Sequence, residues 1–164
     1  MQVLTAVISL PWAMKPIIGL VSDFFAIGGY NKAPYIIMTS CLGIAAMCVV
    51  AFANIERLSI DLLILCFFMI CLQCSTADLL SEAKYAEQIK KNPKDGPDLM
   101  TYVWFGLTFF GFLAVCIVGP TMQYVSNQFP YVIALPAACF IIIPTMANYL
   151  QETKMSSEAM RDRR

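Results

Sequence analysis

The stretch from Pro11 to Asp23, which reads Pro-Trp-Ala-Met-Lys-Pro-Ile-Ile-Gly-Leu-Val-Ser-Asp, decides how this sequence is interpreted. It places Lys15 between two prolines, inside an apolar run that begins at the first residues. A lysine is costly within a lipid bilayer, and a proline interrupts the hydrogen bonds of a helix. Membrane helices tolerate both features where they line a polar cavity. The stretch therefore predicts a membrane helix that faces such a cavity.

The composition predicts an all-α, polytopic helical membrane protein. Of all residues, 59% are hydrophobic and 13% are charged, whereas soluble domains are about 45–50% apolar and about 25% charged. The formal net charge is zero, so no nucleic-acid partner is expected. The sequence has no histidine and no nucleophile–base pattern, so we expect no enzyme activity, metal site or cofactor. Cys71 and Cys74 have metal-ligand spacing but no second pair, and we interpret them as small apolar residues.

Five apolar segments have the length of about 20 residues that a bilayer requires. They form a predicted transmembrane domain over 1–150, with spans at about 1–22, 34–54, 60–80, 100–123 and 130–150. The connections are a polar turn at 23–33, a charged loop at 81–99 and two short turns, and a charged tail follows at 151–164.

The basic residues predict which side of the membrane each connection occupies. The turn at 23–33, the loop at 81–99 and the tail together hold nine lysines and arginines, whereas the other side holds only Arg57. Cytoplasmic loops carry an excess of basic residues. We therefore expect the charged connections and the tail to be cytosolic.

Lys15 is a candidate substrate-binding residue, with Trp12 beside it. From Lys15 to the cytosolic end of the span at Asp23 is about 12 Å of helix rise, which exceeds the reach of a lysine side chain. Lys15 is therefore expected to contact an anion or an ion-pair partner in a cavity. The alternative is a lysine that extends to the interface and fixes the depth of the helix.

A second polar patch lies near the end of the third predicted span. Ser75, Asp78 and Glu82 recur at positions that share one helix face, and a polar stripe on a membrane helix usually faces a cleft. We expect a substrate-binding or gating role for Asp78, and the alternative is solvation at the helix end. Glu87 is expected to belong to a solvated face.

The sequence resembles the folate–biopterin transporter family of the major facilitator superfamily. The motifs that carry the resemblance are Pro11-Trp12-x-x-Lys15-Pro16, Gly19-Leu20-x-Ser22-Asp23, Gly29-Tyr30, Pro34-Tyr35 and the segment from Ala77 to Glu87 with acidic residues at 78, 82 and 87. Its kinetoplastid members are the most similar in the Glu82-x-Lys84-Tyr85 portion. The resemblance implies that this chain supplies the second to sixth of twelve spans, a partial N-terminal half.

The resemblance also implies a function and several roles. A member of this family would carry folate or biopterin by alternating access, in the plasma membrane, together with the remainder of the transporter. Gly19, Asp23, Lys32 and Glu82 match positions expected to act in gating. A different expectation is a truncated, non-transporting helical membrane protein that acts as an assembly or regulatory partner.

Overall fold

Five helices long and apolar enough to cross a membrane form the fold, which confirms the predicted all-α class. A computed structural model describes residues 2–25, 27, 29–54 and 58–147. The candidate spans within those residues are Gln2–Phe24, Ala33–Phe52, Ile60–Lys91, Pro93–Tyr124 and Phe129–Met146. The predicted tail at 151–164, the end of the fifth predicted span and Arg57 lie outside the described residues.

The first span is two helices, α1 (Gln2–Ala13) and α2 (Lys15–Phe24), with a break at Met14. Pro16 has no N–H to donate to the carbonyl of Trp12, so one helical hydrogen bond is missing at the break. The chain nevertheless keeps a helical course, because Met14 N–H donates to Leu10 at 3.0 Å and Ile18 N–H donates to Met14 at 3.0 Å. Lys15 is therefore the first residue of α2.

A tight turn connects α2 to α3 (Ala33–Phe52). Ile27 and Tyr30 exchange backbone hydrogen bonds of 3.0 and 3.1 Å across it. Gly29 lies inside the turn with φ 89°, a conformation that glycine adopts without steric cost. The Tyr35 hydroxyl donates to the Phe25 carbonyl at 2.7 Å and holds the start of α3 against the end of α2.

Helices α3 and α4 (Ile60–Lys91) pack antiparallel and form the interior of the bundle. Val50 and Cys66 share a buried cluster near one end, and Lys32 pairs with Glu87 at the other. Between them, a Cβ added to Gly43 would lie 2.1 Å from Oε1 of Gln73. Small residues allow such close approach in membranes, so Gly43 sets the spacing of the two helices.

Helix α4 is longer than the span predicted at 60–80, because it continues to Lys91. The prediction of a loop over 81–99 is therefore wrong for residues 81–91, which are helical. Lys84 and Glu87 form an ion pair one turn apart, and Lys90 and Lys91 complement the negative end of the helix. The 32 residues span about 48 Å, against about 30 Å of hydrocarbon. The charged last turns therefore extend beyond the hydrocarbon.

The connection to the next helix is short. It consists of Asn92 and a 3-10 turn at Pro93–Asp95, after which α5 (Gly96–Tyr124) begins. Pro93 lacks an N–H and disfavours a helical conformation in the residue before it, which ends α4 at this point.

The last span is also interrupted, into α6 (Phe129–Phe140) and α7 (Ile142–Met146). Pro144 removes the donor to the Phe140 carbonyl, which explains the break. Gln128, just before α6, donates from Nε2 to the carbonyls of Val50 at 2.9 Å and Ala53 at 2.7 Å. It thereby satisfies carbonyls at the end of α3 and joins α6 to the α3–α4 pair.

Candidate functional site

An open cleft of about 750 Å³ lies between the broken first span, α4 and α5. The α1–α2 break contributes two side chains, α4 contributes most of the floor, and α5 forms the opposite wall. The lining residues are Trp12, Lys15, Cys74, Ala77, Asp78, Ser81, Glu82, Tyr85, Val103, Trp104 and Leu107. Four residues that the sequence predicted as site residues therefore share one cleft: Trp12, Lys15, Asp78 and Glu82.

An ion pair crosses the cleft from α2 to α4. The Lys15 ammonium lies 2.5 Å from Oδ2 of Asp78, and the side chains are 22% and 36% exposed. The same ammonium lies 4.4 Å from the centre of the Trp12 ring, within the range of a cation–π interaction. The predicted partner of Lys15 is thus an acidic residue of this chain, and the Lys15 charge is compensated within the cleft.

Glu82 lies one turn beyond Asp78 on α4 and adds a second carboxylate. The Tyr85 hydroxyl donates to Glu82 Oε1 at 3.1 Å. With Lys15, Asp78 and Glu82 as its charged lining residues, the cleft has a formal charge of minus one. A carboxylate can accept several hydrogen bonds, so Glu82 can accept others in addition to the one from Tyr85.

Helix α5 supplies a tryptophan to the cleft that the sequence analysis did not identify. Trp104, interpretable from sequence as an interfacial anchor, lines the cleft with 59% of its surface exposed. Trp12 is 46% exposed. Both tryptophans of the chain therefore line this cleft. The presence of both in one cleft depends on how α5 packs against α4, for which periodicity gives no signal.

The prediction that Ser75, Asp78 and Glu82 all face a cleft from α4 is only partly correct. Asp78 and Glu82 line the cleft, but Ser75 is fully buried and its hydroxyl donates to the Leu72 carbonyl at 3.2 Å. Cys74 faces the cleft instead. A shift of one residue turns a helix by about 100°, so Cys74 and Ser75 point to different surroundings.

The other predicted gating residues lie outside the cleft, toward the α2–α3 turn. A Cβ on Gly19 would contact Leu79 at an ordinary 3.5 Å, so α2 packs against α4 at this position without requiring a glycine. Asp23 is exposed in the last turn of α2. Lys32 is buried and lies 2.8 Å from Oε1 of Glu87.

Glu87 is a partner that the sequence analysis assigned to a solvated face. Its other carboxylate oxygen lies 3.1 Å from Nζ of Lys84. The hydrogen bond from Lys32, assisted by Lys84, lowers the pKa of the Glu87 carboxyl below its ordinary value. Because Glu87 belongs to the charged end of α4, this cluster ties the α2–α3 turn to the helix outside the hydrocarbon.

The comparisons with known proteins assign this chain to one family. The family model described as the BT1 family matches residues 1–163. Three similar proteins of Arabidopsis thaliana are named as probable folate-biopterin transporters. Number 4 is 24% identical over 154 residues, which is 90% of this chain and 31% of the relative. Number 7 is 26% identical over 135 residues, which cover 81% of this chain and 30% of the relative. Number 6 is 28% identical over 92 residues, which cover 56% of this chain and 18% of the relative.

The chain spans about a third or less of the length of these curated relatives. No solved structure matches it.

Proposed function

The chain belongs to the BT1 family of folate–biopterin transporters, and from this premise we propose that it forms one side of a membrane pathway for folate- or pterin-type molecules. The observation that carries the proposal is the cleft between the broken first span, α4 and α5. It brings an ion pair, a second carboxylate and two tryptophans together on helices that are otherwise apolar. Charged groups inside membrane helices generally mark substrate or ion pathways.

In this proposal, Trp12, Lys15 and Asp78 contact the substrate, and the pathway opens by alternating access of the major-facilitator type. The chain supplies one wall of the pathway and works with the remainder of a longer transporter in the plasma membrane. Broken spans support this assignment, since interrupted helices are common at transporter binding sites.

Gating is proposed at Gly19 and Asp23 on α2, at Lys32 just before α3, and at Glu82 on α4. The packing of α2 against α4 at Gly19 and the Lys32–Glu87 pair support it. Together they couple the position of the turn to α4, the helix that carries Asp78.

Cys74 allows a direct test, because it is an exposed cysteine that lines the cleft. The experiment uses the chain in lipid nanodiscs with the other six cysteines replaced by alanine. A water-soluble methanethiosulfonate reagent modifies Cys74, and saturating folate or biopterin should slow this reaction several-fold. The matched control has Lys91→Cys as its single cysteine, which is exposed at the charged end of α4 and lies outside the cleft. Its modification rate should not respond to either compound.

Equal Cys74 modification rates with and without folate and biopterin would contradict the proposed function. That result would favour the second expectation, a helical membrane protein that assembles with or regulates a partner and has no substrate site.

A further inference from the structure

We infer that the cleft binds the pterin head of its substrate and does not bind the anionic glutamate tail of folate. This inference rests on the proposed function and specifies which part of the substrate the cleft recognises. It follows from the charges, hydrogen bonds and aromatic side chains of the lining residues.

The charge of the cleft opposes an anionic group. Lys15 is its one lysine or arginine lining residue among those described, and Asp78 already compensates it at 2.5 Å. Glu82 then leaves the lining with a formal charge of minus one. A glutamate tail carries two carboxylates, which would have to displace Asp78 from Lys15 while approaching Glu82. Like charges in a site of reduced dielectric repel strongly, so the tail is disfavoured.

The same two carboxylates suit the pterin head. A pterin ring has an amino group beside a ring N–H, which are two parallel donors on one edge. A carboxylate accepts two such hydrogen bonds, and bonds to an ionised acceptor are stronger than neutral ones. Asp78 and Glu82 lie one helical turn apart on the floor of the cleft, so either presents an acceptor toward a ring in the cleft.

The aromatic residues provide surfaces on which a flat ring can stack. Trp12 on α1, Tyr85 on α4 and Trp104 on α5 line the cleft from all three sides. The indoles of Trp12 and Trp104 are about half exposed. Lys15 covers one face of the Trp12 ring, so Trp104 offers the more open surface to a ligand. Stacking on aromatic side chains is a general means of binding flat heterocycles. The cleft is thus built for a flat, donor-rich and uncharged ring.

The two tryptophans also make the test specific, because they are the only ones in the chain and a tryptophan-free scaffold protein is used for the nanodiscs. Three probes are titrated into the purified chain in nanodiscs: biopterin, folate and p-aminobenzoylglutamate, which is the folate tail without the pterin. Biopterin and folate should quench the tryptophan emission with dissociation constants within about threefold of each other. p-Aminobenzoylglutamate should bind more than about tenfold more weakly, a difference of about 1.4 kcal/mol.

Substitution of the carboxylates should separate recognition of the head from recognition of the tail. Glu82→Gln removes an ionised acceptor and should weaken biopterin binding about tenfold. Asp78→Asn should weaken biopterin similarly. It also releases the Lys15 charge and should therefore strengthen binding of p-aminobenzoylglutamate. A misfolded variant would lose affinity for all probes, so opposite changes can arise only from the site. Asp61→Asn, exposed at the other end of α4, is the matched control and should behave as the unmodified chain.

Tighter binding of p-aminobenzoylglutamate than of biopterin would overturn the inference while leaving the proposed function intact. Parallel losses for both probes in an Asp78→Asn variant whose circular dichroism spectrum shows that it is folded would also overturn it. If none of the three probes quenches the emission, the proposed function fails together with the inference.

Discussion

The Lys15 ammonium and the Asp78 carboxylate lie 2.5 Å apart although 63 positions separate them in the sequence. Their contact joins the break in the first span to α4, inside the apolar part of both helices. The proline-induced break places Lys15 at the first position of α2, from which its side chain reaches both Asp78 and the ring of Trp12. Each charge is tolerated in the membrane because the other is present.

We expect Lys15→Gln and Asp78→Asn each to destabilise the chain, because each leaves the opposite charge without its partner. The pair is partly exposed, so each loss should be about 1–2 kcal/mol, less than for a fully buried pair. The double variant should lose less than the sum of the two, since it leaves no unpaired charge. Thermal unfolding of the chain in nanodiscs, followed by circular dichroism, measures all three. Strict additivity would mean that the ion pair contributes nothing.

The sequence predicted the apolar spans and singled out the charged residues that line the cleft, since composition and isolated charges are local properties. Lys15 and Asp78 were recognised because a charge inside an apolar run has few explanations. Trp104 was not recognised as a cleft residue, because its position depends on the packing of α5. Glu87 is exposed, as expected of a solvated face, but its pairing with Lys32 was missed for a similar reason, because the two lie 55 positions apart. The continuation of α4 to Lys91 was missed because hydropathy marks the end of hydrocarbon and not the end of a helix.

Gly43 offers a test of the α3–α4 interface. Gly43→Ala places a Cβ 2.1 Å from Oε1 and 2.6 Å from Cβ of Gln73. The helices must therefore separate, and we expect a loss of about 1–3 kcal/mol, typical of overpacking. Gly111→Ala is the matched control, because nothing lies within 4 Å of its added Cβ. Alanine there should be neutral or stabilising by up to about 1 kcal/mol, owing to its better helix propensity. Equal effects at both positions in thermal unfolding would show that Gly43 does not set the helix spacing.

The Lys32–Glu87 pair should stabilise the α2–α3 turn in a pH-dependent way. The lowered pKa of Glu87 means that the stabilisation is present above its ordinary value of 4.5. It should decline as the pH falls through the lowered value, when the carboxyl takes up a proton. Lys32→Gln should weaken this dependence, leaving the part that Lys84 contributes, and should lower the thermal midpoint near neutral pH. Lys90→Gln, exposed on the same charged end of α4, should change the midpoint little. An unchanged acid profile in Lys32→Gln would show that the pair is not responsible.

The final prediction concerns the side of the membrane on which each connection lies. We expect the end of α4 to be cytosolic and the α5–α6 turn to be on the opposite face, because the nine basic residues of the charged connections outnumber the single Arg57 of the other side. The two positions to compare are Lys91, the last residue of α4, and Asn127, in the turn that follows α5. They are separated by the length of α5 (Gly96–Tyr124), so they cannot lie on the same side of the membrane if this helix crosses the bilayer.

In a chain without its native cysteines, Lys91→Cys and Asn127→Cys are each labelled with a membrane-impermeant maleimide on intact cells. Position 127 should be labelled directly and position 91 only after the membrane is permeabilised. The reverse pattern would invert the orientation, and labelling of both positions on intact cells would show that α5 does not cross the membrane.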